Sequence, residues 1–122
     1  MIKTKSIYDN RDESHGTRIL ITVVNPPAWL EHYDWKQELG PDWDTLMKWK
    51  YSKKTEEDWK IYEETFLAKM KGQAGREAIA ELRQRSSSGE TITLLCHCKE
   101  GEHCHRHIIK SLIDGSRVIE SD

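Results

Sequence analysis

No stretch of this 122-residue chain approaches the ~20 consecutive apolar residues that a membrane-spanning helix needs. The opening MIKTKSIYDN lacks the apolar centre of a signal peptide, so the expectation is a soluble cytoplasmic protein without a membrane partner. An excess of one charge is missing as well. With 19 Lys and Arg against 21 Asp and Glu, the formal charge is -2, which argues against nucleic acid or anionic lipid as a general partner. Cysteine is scarce: the 3 that occur lie at positions 96, 98 and 104, an odd number too crowded to tie distant loops together. Reduced thiols in a reducing compartment follow. No internal repeat and no low-complexity tail is present, and the length suits one domain over residues 1–122 rather than two.

What is there is a globular composition. Apolar residues make up 36% and charged residues 33%, and 5 Trp and 4 Tyr supply large burial per residue. Ile2 to Tyr8 alternates as a strand does, and Arg18 to Val24 is a stronger strand that Asn25-Pro26-Pro27 must end, since proline cannot donate to a ladder. Aromatic residues then recur among charges from Trp29 to Trp49, with Asp42 placed to cap a short helix ending near Tyr51. Thr55-Glu56-Glu57-Asp58 reads as a helix start, followed by Trp59, Tyr62, Phe66 and Met70 at helical spacing. Gly72 and Gly75 bracket a break, and Ala78, Ile79 and Leu82 mark another helix. Thr91 to Cys96 is β-branched and continuously apolar, as a strand covered on both faces requires, and Ile108, Ile109, Leu112 and Ile113 indicate a closing helix. Strands separated by helices predict an α/β domain: a mostly parallel sheet flanked by helices in a Rossmann-like three-layer arrangement.

The chemistry concentrates in LLCHCKEGEHCHRH, residues 94 to 107, where a central strand gives way to a helix. Open α/β sheets bind ligands at such ends. Cys96 and Cys98 share a face if the strand continues, and Cys104, His105, Arg106 and His107 fall in the first helical turn. Cations are disfavoured at the positive end of a helix, so Arg106 and its histidines call for a bound anion, a thiolate, or plain neutralisation by Glu100 and Glu102. The leading expectation is a thiol-bearing, anion-accepting site. Cys104 or Cys98 would be the nucleophile, His105 a proton carrier or thiolate partner, and Arg106 with the helix N-terminus the holder of a small anionic or thiol-reactive ligand; redox or sulfur-transfer chemistry fits these parts, with no cofactor expected. The alternative is a non-enzymatic metal or interaction module in which Cys96, Cys98, His103, Cys104 and His107 ligate zinc or iron, His103 and His107 standing four apart. Cys96 also suits a small buried packing residue. A lesser reading is a degenerate phosphatase loop: His97-Cys98-Lys99-Glu100-Gly101 resembles the start of His-Cys-x-x-Gly-x-x-Arg, but Cys104 stands where the clamping arginine belongs.

Other features have plainer readings. KWKYSKK, residues 48 to 54, mixes lysines with Trp49 and Tyr51 as a base-stacking surface does, yet acidic residues follow at once and a solvated helix end is the simpler account. Trp59, Tyr62 and Phe66 have core spacing, and Asp9, Arg11, Asp12 and Glu13 form a charged loop able to approach the cysteines.

Taken in order, SIYDNRDESHGTRILI, DWKIYEETFLAKM and TLLCHCKEGEHCHR resemble the domain of unknown function 488 family, and within it the YeaO-like proteins. Cys96, Cys104, His105 and Arg106 fall on that family's Leu-Leu-Cys…Cys-His-Arg ending. The chain departs from it at Asn25-Pro26-Pro27-Ala28-Trp29, where relatives carry Trp-Pro-Arg-Gly, and at Cys98, where many carry Glu. The resemblance implies a compact α/β fold with a sheet between helices, and no particular reaction.

Overall fold

The computed structural model describes residues 1–9, 13–98 and 103–118. Arg11 and Asp12 of the charged loop, and Lys99, Glu100, Gly101 and Glu102, lie outside the described residues. The strands are β1 (Ile2–Ser6), β2 (Thr17–Leu20), β3 (Asp34–Trp35) and β4 (Ile92–Cys96), and the helices are α1 (Trp43–Lys50), α2 (Glu56–Met70), α3 (Gln73–Ser87) and α4 (His105–Asp114). The sheet runs β1-β4-β2-β3 with every pairing parallel, so the expected α/β fold with a parallel sheet is the one the chain adopts. No helix among the described residues is long and apolar enough to cross a membrane.

β4 explains the layering. It lies between β1 and β2, and all five of its residues are buried, which is why it reads as an unbroken apolar run. Ile92 and Leu94 point into the larger core with Ile19 of the neighbouring strand, Ile21 just beyond its end, and Tyr62, Phe66, Leu82 and Ile109 from three helices. Leu95 points the other way, into a smaller cluster with Ile7, Leu20 and Leu30. Thr93 shares that second face, where its hydroxyl donates to the His15 carbonyl at 2.6 Å, so the one polar side chain of the strand is buried with a partner. Cys96 has the parity of Leu94 and therefore faces the helical layer.

Several element boundaries differ from the sequence reading. β2 ends at Leu20, although Ile21 N still donates to Leu95 O at 3.0 Å; beyond it the Thr22 hydroxyl accepts from Val24 N and turns the chain before the prolines are reached. α1 begins after Asp42 as expected, but the Asp42 carboxylate does not cap it and instead lies 3.3 Å from Lys69 Nζ. α2 has the full reciprocal cap, with Asp58 N donating to Thr55 Oγ1 and Thr55 N donating to Asp58 Oδ2, both at 3.1 Å. Gly75 does not break the chain: it lies inside α3, where an added Cβ would come within 2.9 Å of Met70 Cα, so α3 packs against the end of α2 through a missing side chain. At Gly16, by contrast, the backbone itself demands glycine, with φ at +61° and a Cβ position 2.4 Å from Thr91 O.

Candidate functional site

β4 delivers Cys96 into the helical layer at the place where α4 starts, and Cys104 occupies the N-cap position of that helix. The two sulfurs meet. Cys104 Sγ donates to Cys96 Sγ at 2.9 Å, while Cys98 Sγ, two residues along on the same side of the chain, lies 3.7 Å from Cys96 Sγ. Cys96 and Cys104 are buried and Cys98 is half-buried; all three are free thiols.

His105 completes the cluster from the first turn of α4. Its Nδ1 lies 3.8 Å from Cys96 Sγ and 3.7 Å from Cys104 Sγ, and its Nε2 hydrogen-bonds the backbone carbonyl of Ile21. A carbonyl can only accept, so Nε2 carries the proton and Nδ1 presents a lone pair to the two sulfurs. Burial holds the imidazole below its ordinary pKa, against the pull of the Ile21 carbonyl, which keeps it neutral. Phe66 fixes the ring edge-on at 5.4 Å.

The three sulfurs hold their protons unequally. Cys96 is held well below the usual thiol value by its hydrogen bond with Cys104 first and with Cys98 second; these outweigh its burial, and the Arg106 charge adds to them. Cys104 is pushed far up by its hydrogen bonds with Cys96 and then Cys98, and by burial. For Cys98 the hydrogen bond with Cys104 pulls downward, but Cys96 and burial prevail and the thiol is raised. Of the three, Cys96 is therefore the sulfur that gives up its proton most readily.

Arg106 is fully buried, and its Nη1 donates to the Cys98 carbonyl at 2.9 Å, so this cation braces the backbone that carries Cys98. His103 and His107 are not brought together. His103 precedes the helix, stacks on Trp59 at 4.6 Å and places Nε2 3.3 Å from Glu56 Oε1, whereas His107 is exposed on α4. Among the described residues, a metal-sized group is formed by Cys96, Cys104 and His105, whose ligand atoms all lie within 4.8 Å of one another.

Above the sulfurs lies a cavity of about 80 Å³. Cys96, Cys98, Cys104 and His105 line one side and Trp49, Trp59, Tyr62 and His103 the other, with Thr22 and Leu46 among the rest; none of its described lining residues is Lys, Arg, Asp or Glu. Phe66, Tyr62, Trp59 and His103 form a near-parallel series with interplanar angles of 14°, 16° and 14°, running from the core to the cavity rim. Burial, and next the neighbouring cysteines, raise the Tyr62 phenol far above its ordinary value, so it stays protonated. The sequence assigns these aromatics to the core; they are core on one edge and cavity wall on the other, and helical spacing is the same in both roles. The Ile21 carbonyl, a backbone atom, leaves no mark in sequence at all.

Over residues 2–117 the chain matches the family model described as the active DUF488-N3 subclade. Comparisons with curated proteins and with solved structures give no match.

Proposed function

We propose, from the premise that this chain belongs to the DUF488 family through its active DUF488-N3 subclade, that the cluster is a dithiol redox site. In it Cys96 and Cys104 interconvert between thiolate–thiol and disulfide. One observation carries this reading: the 2.9 Å separation of the Cys96 and Cys104 sulfurs. Two sulfurs bound to one tetrahedral zinc at ~2.3 Å would stand about 3.8 Å apart. The observed pair is closer than that, so the two sulfurs need move little to reach bonding distance once they are oxidised. His105 Nδ1 receives the proton that Cys104 releases as the bond forms, and the N-terminus of α4 and Arg106 favour the sulfur anion. No bound cofactor enters: the two electrons pass from the sulfurs to an external oxidant, a disulfide or a peroxide, and an external dithiol returns them. Membership of a subclade described as active supports a working site.

A second reading has its own support. The His105 nitrogen stands 3.7–3.8 Å from both sulfurs and is oriented through its other nitrogen by a backbone carbonyl, as a metal-bound histidine is. Cys96, Cys104 and His105 would then hold zinc or iron, with Cys98 beside the open position.

Metal analysis of the purified protein, followed by overnight equilibration in glutathione redox buffers and peptide mapping, separates the two. The redox reading expects a metal-free chain that acquires a Cys96–Cys104 disulfide and leaves Cys98 reduced. Stoichiometric zinc or iron that is lost in Cys104→Ser supports the second reading instead, and a chain with neither metal nor disulfide sinks both.

A further inference from the structure

The cavity over the sulfurs is small, and its walls are specific in a way that the thiols alone do not explain. At about 80 Å³ it has roughly half the volume of the ~150 Å³ apolar cavity that takes a benzene ring. Space for a few heavy atoms remains, too little for an aromatic hydroperoxide. Apart from the sulfurs, the described walls carry indole, phenol, imidazole, hydroxyl and aliphatic groups and no Lys, Arg, Asp or Glu, so an anion would surrender its hydration there without a cationic partner and beside the readily ionised Cys96. Arg106, the nearest candidate for such a partner, spends a donor on the Cys98 carbonyl and is not among the lining residues. The rim is held by His103, flat on Trp59 and in contact with Glu56, and by Trp49 edge-on to Trp59 at 5.1 Å.

We infer that the oxidant consumed at the Cys96–Cys104 pair is a small uncharged hydroperoxide, hydrogen peroxide or a short alkyl hydroperoxide, selected by the size and neutrality of this cavity. The inference rests on the redox reading and specifies its substrate. The Cys96 thiolate attacks one peroxide oxygen; an S–O bond forms, the O–O bond breaks, and the departing hydroxide or alkoxide takes a proton and leaves as water or alcohol. Cys104 then attacks the oxidised Cys96 sulfur, its proton passing through His105 Nδ1 to the expelled hydroxide. Two thiols and one hydroperoxide thereby give one disulfide, one water and one alcohol, or two waters when the oxidant is hydrogen peroxide. An external dithiol restores the reduced state.

The test is a single-turnover rate series on the reduced full-length chain with hydrogen peroxide, tert-butyl hydroperoxide and cumene hydroperoxide, read as the Cys96–Cys104 link after acid quenching. The rate should fall by about tenfold or more from the smallest to the largest oxidant, the scale on which a tight apolar pocket rejects added carbon. Leu46→Ala, or Val24→Ala should that variant fail to fold, enlarges the cavity and should shrink this ratio. Equal rates, a preference for the aromatic hydroperoxide, or a ratio indifferent to both variants would overturn the inference. If the disulfide forms at equilibrium in glutathione buffers while peroxide size has no effect, this inference alone falls; if no disulfide forms even there, the redox reading falls with it.

Discussion

His105 performs two opposed tasks with one ring, donating through Nε2 to a strand carbonyl and presenting Nδ1 to two sulfurs. Replacing it with phenylalanine keeps the shape and removes both. His105→Phe should lower the unfolding free energy in urea by about 1–3 kcal/mol, the cost of leaving the Ile21 carbonyl buried without a donor. The thiols give a pH signature whose sign is fixed. Unfolded, all three keep their protons up to about pH 8.5. Folded, Cys96 has lost its proton well below that, while Cys98 and Cys104 retain theirs above it. Between the lowered Cys96 value and about 8.5 the unfolded chain therefore holds one more proton than the folded one, and stability rises by up to about 1.4 kcal/mol per pH unit. Above that range the folded chain holds more protons and stability falls. Urea titrations across pH 7 to 10 should trace this maximum, and Cys96→Ala should abolish the rising limb; a flat profile in the parent chain would mean that Cys96 is an ordinary thiol.

At the scale of elements, α2 and α3 meet where a side chain is absent. By helix propensity, Gly75→Ala should stabilise α3 by about 0.5–1 kcal/mol. Contact decides otherwise, because the new methyl would sit 2.9 Å from Met70 Cα, a backbone atom that cannot rotate away. A net loss of about 1–3 kcal/mol is expected, seen as a lowered melting temperature. α2 was legible in sequence because Thr55 and Asp58 are local partners and Tyr62, Phe66 and Met70 repeat on one face. The end of β2 was not, since the turn depends on one hydroxyl at Thr22 that reads as an ordinary strand residue. β3 escaped for a simpler reason: its two residues, Asp34 and Trp35, are too few to show a period and are exposed.

For the molecule as a whole, the parallel sheet joins residues far apart in sequence, Ile2 with Ile92 and Thr17 with Ile92, across β4. Native-state hydrogen exchange should find the amides of Thr93, Leu94 and Leu95 opening only with global unfolding, and those of the two-residue edge strand β3 opening locally. Comparable protection in both would contradict a core centred on β4. The same long-range pairing explains how much of the site could be foreseen. Alternation places Cys96 and Cys98 on one side of the chain, and the strand-to-helix switch marks residues 96 to 107 as the place for chemistry. That Cys104 returns to within 2.9 Å of Cys96, that Arg106 turns inward and that His103 swings onto Trp59 depend on how α4 and α2 dock on the sheet, and local spacing carries no record of that docking.

The aromatic series beside the thiols also makes the protein luminous in a useful way. Of its tryptophans, Trp29 and Trp43 are more than half exposed, whereas Trp49 and Trp59 border the sulfur cavity. Excited indole passes an electron readily to neighbouring sulfur, so those two rings should be dim and should change brightness whenever the bonding of the sulfurs changes. The exposed rings supply a constant, red-shifted background. Ultraviolet emission from the unlabelled chain can therefore follow events in a buried pocket without any added dye.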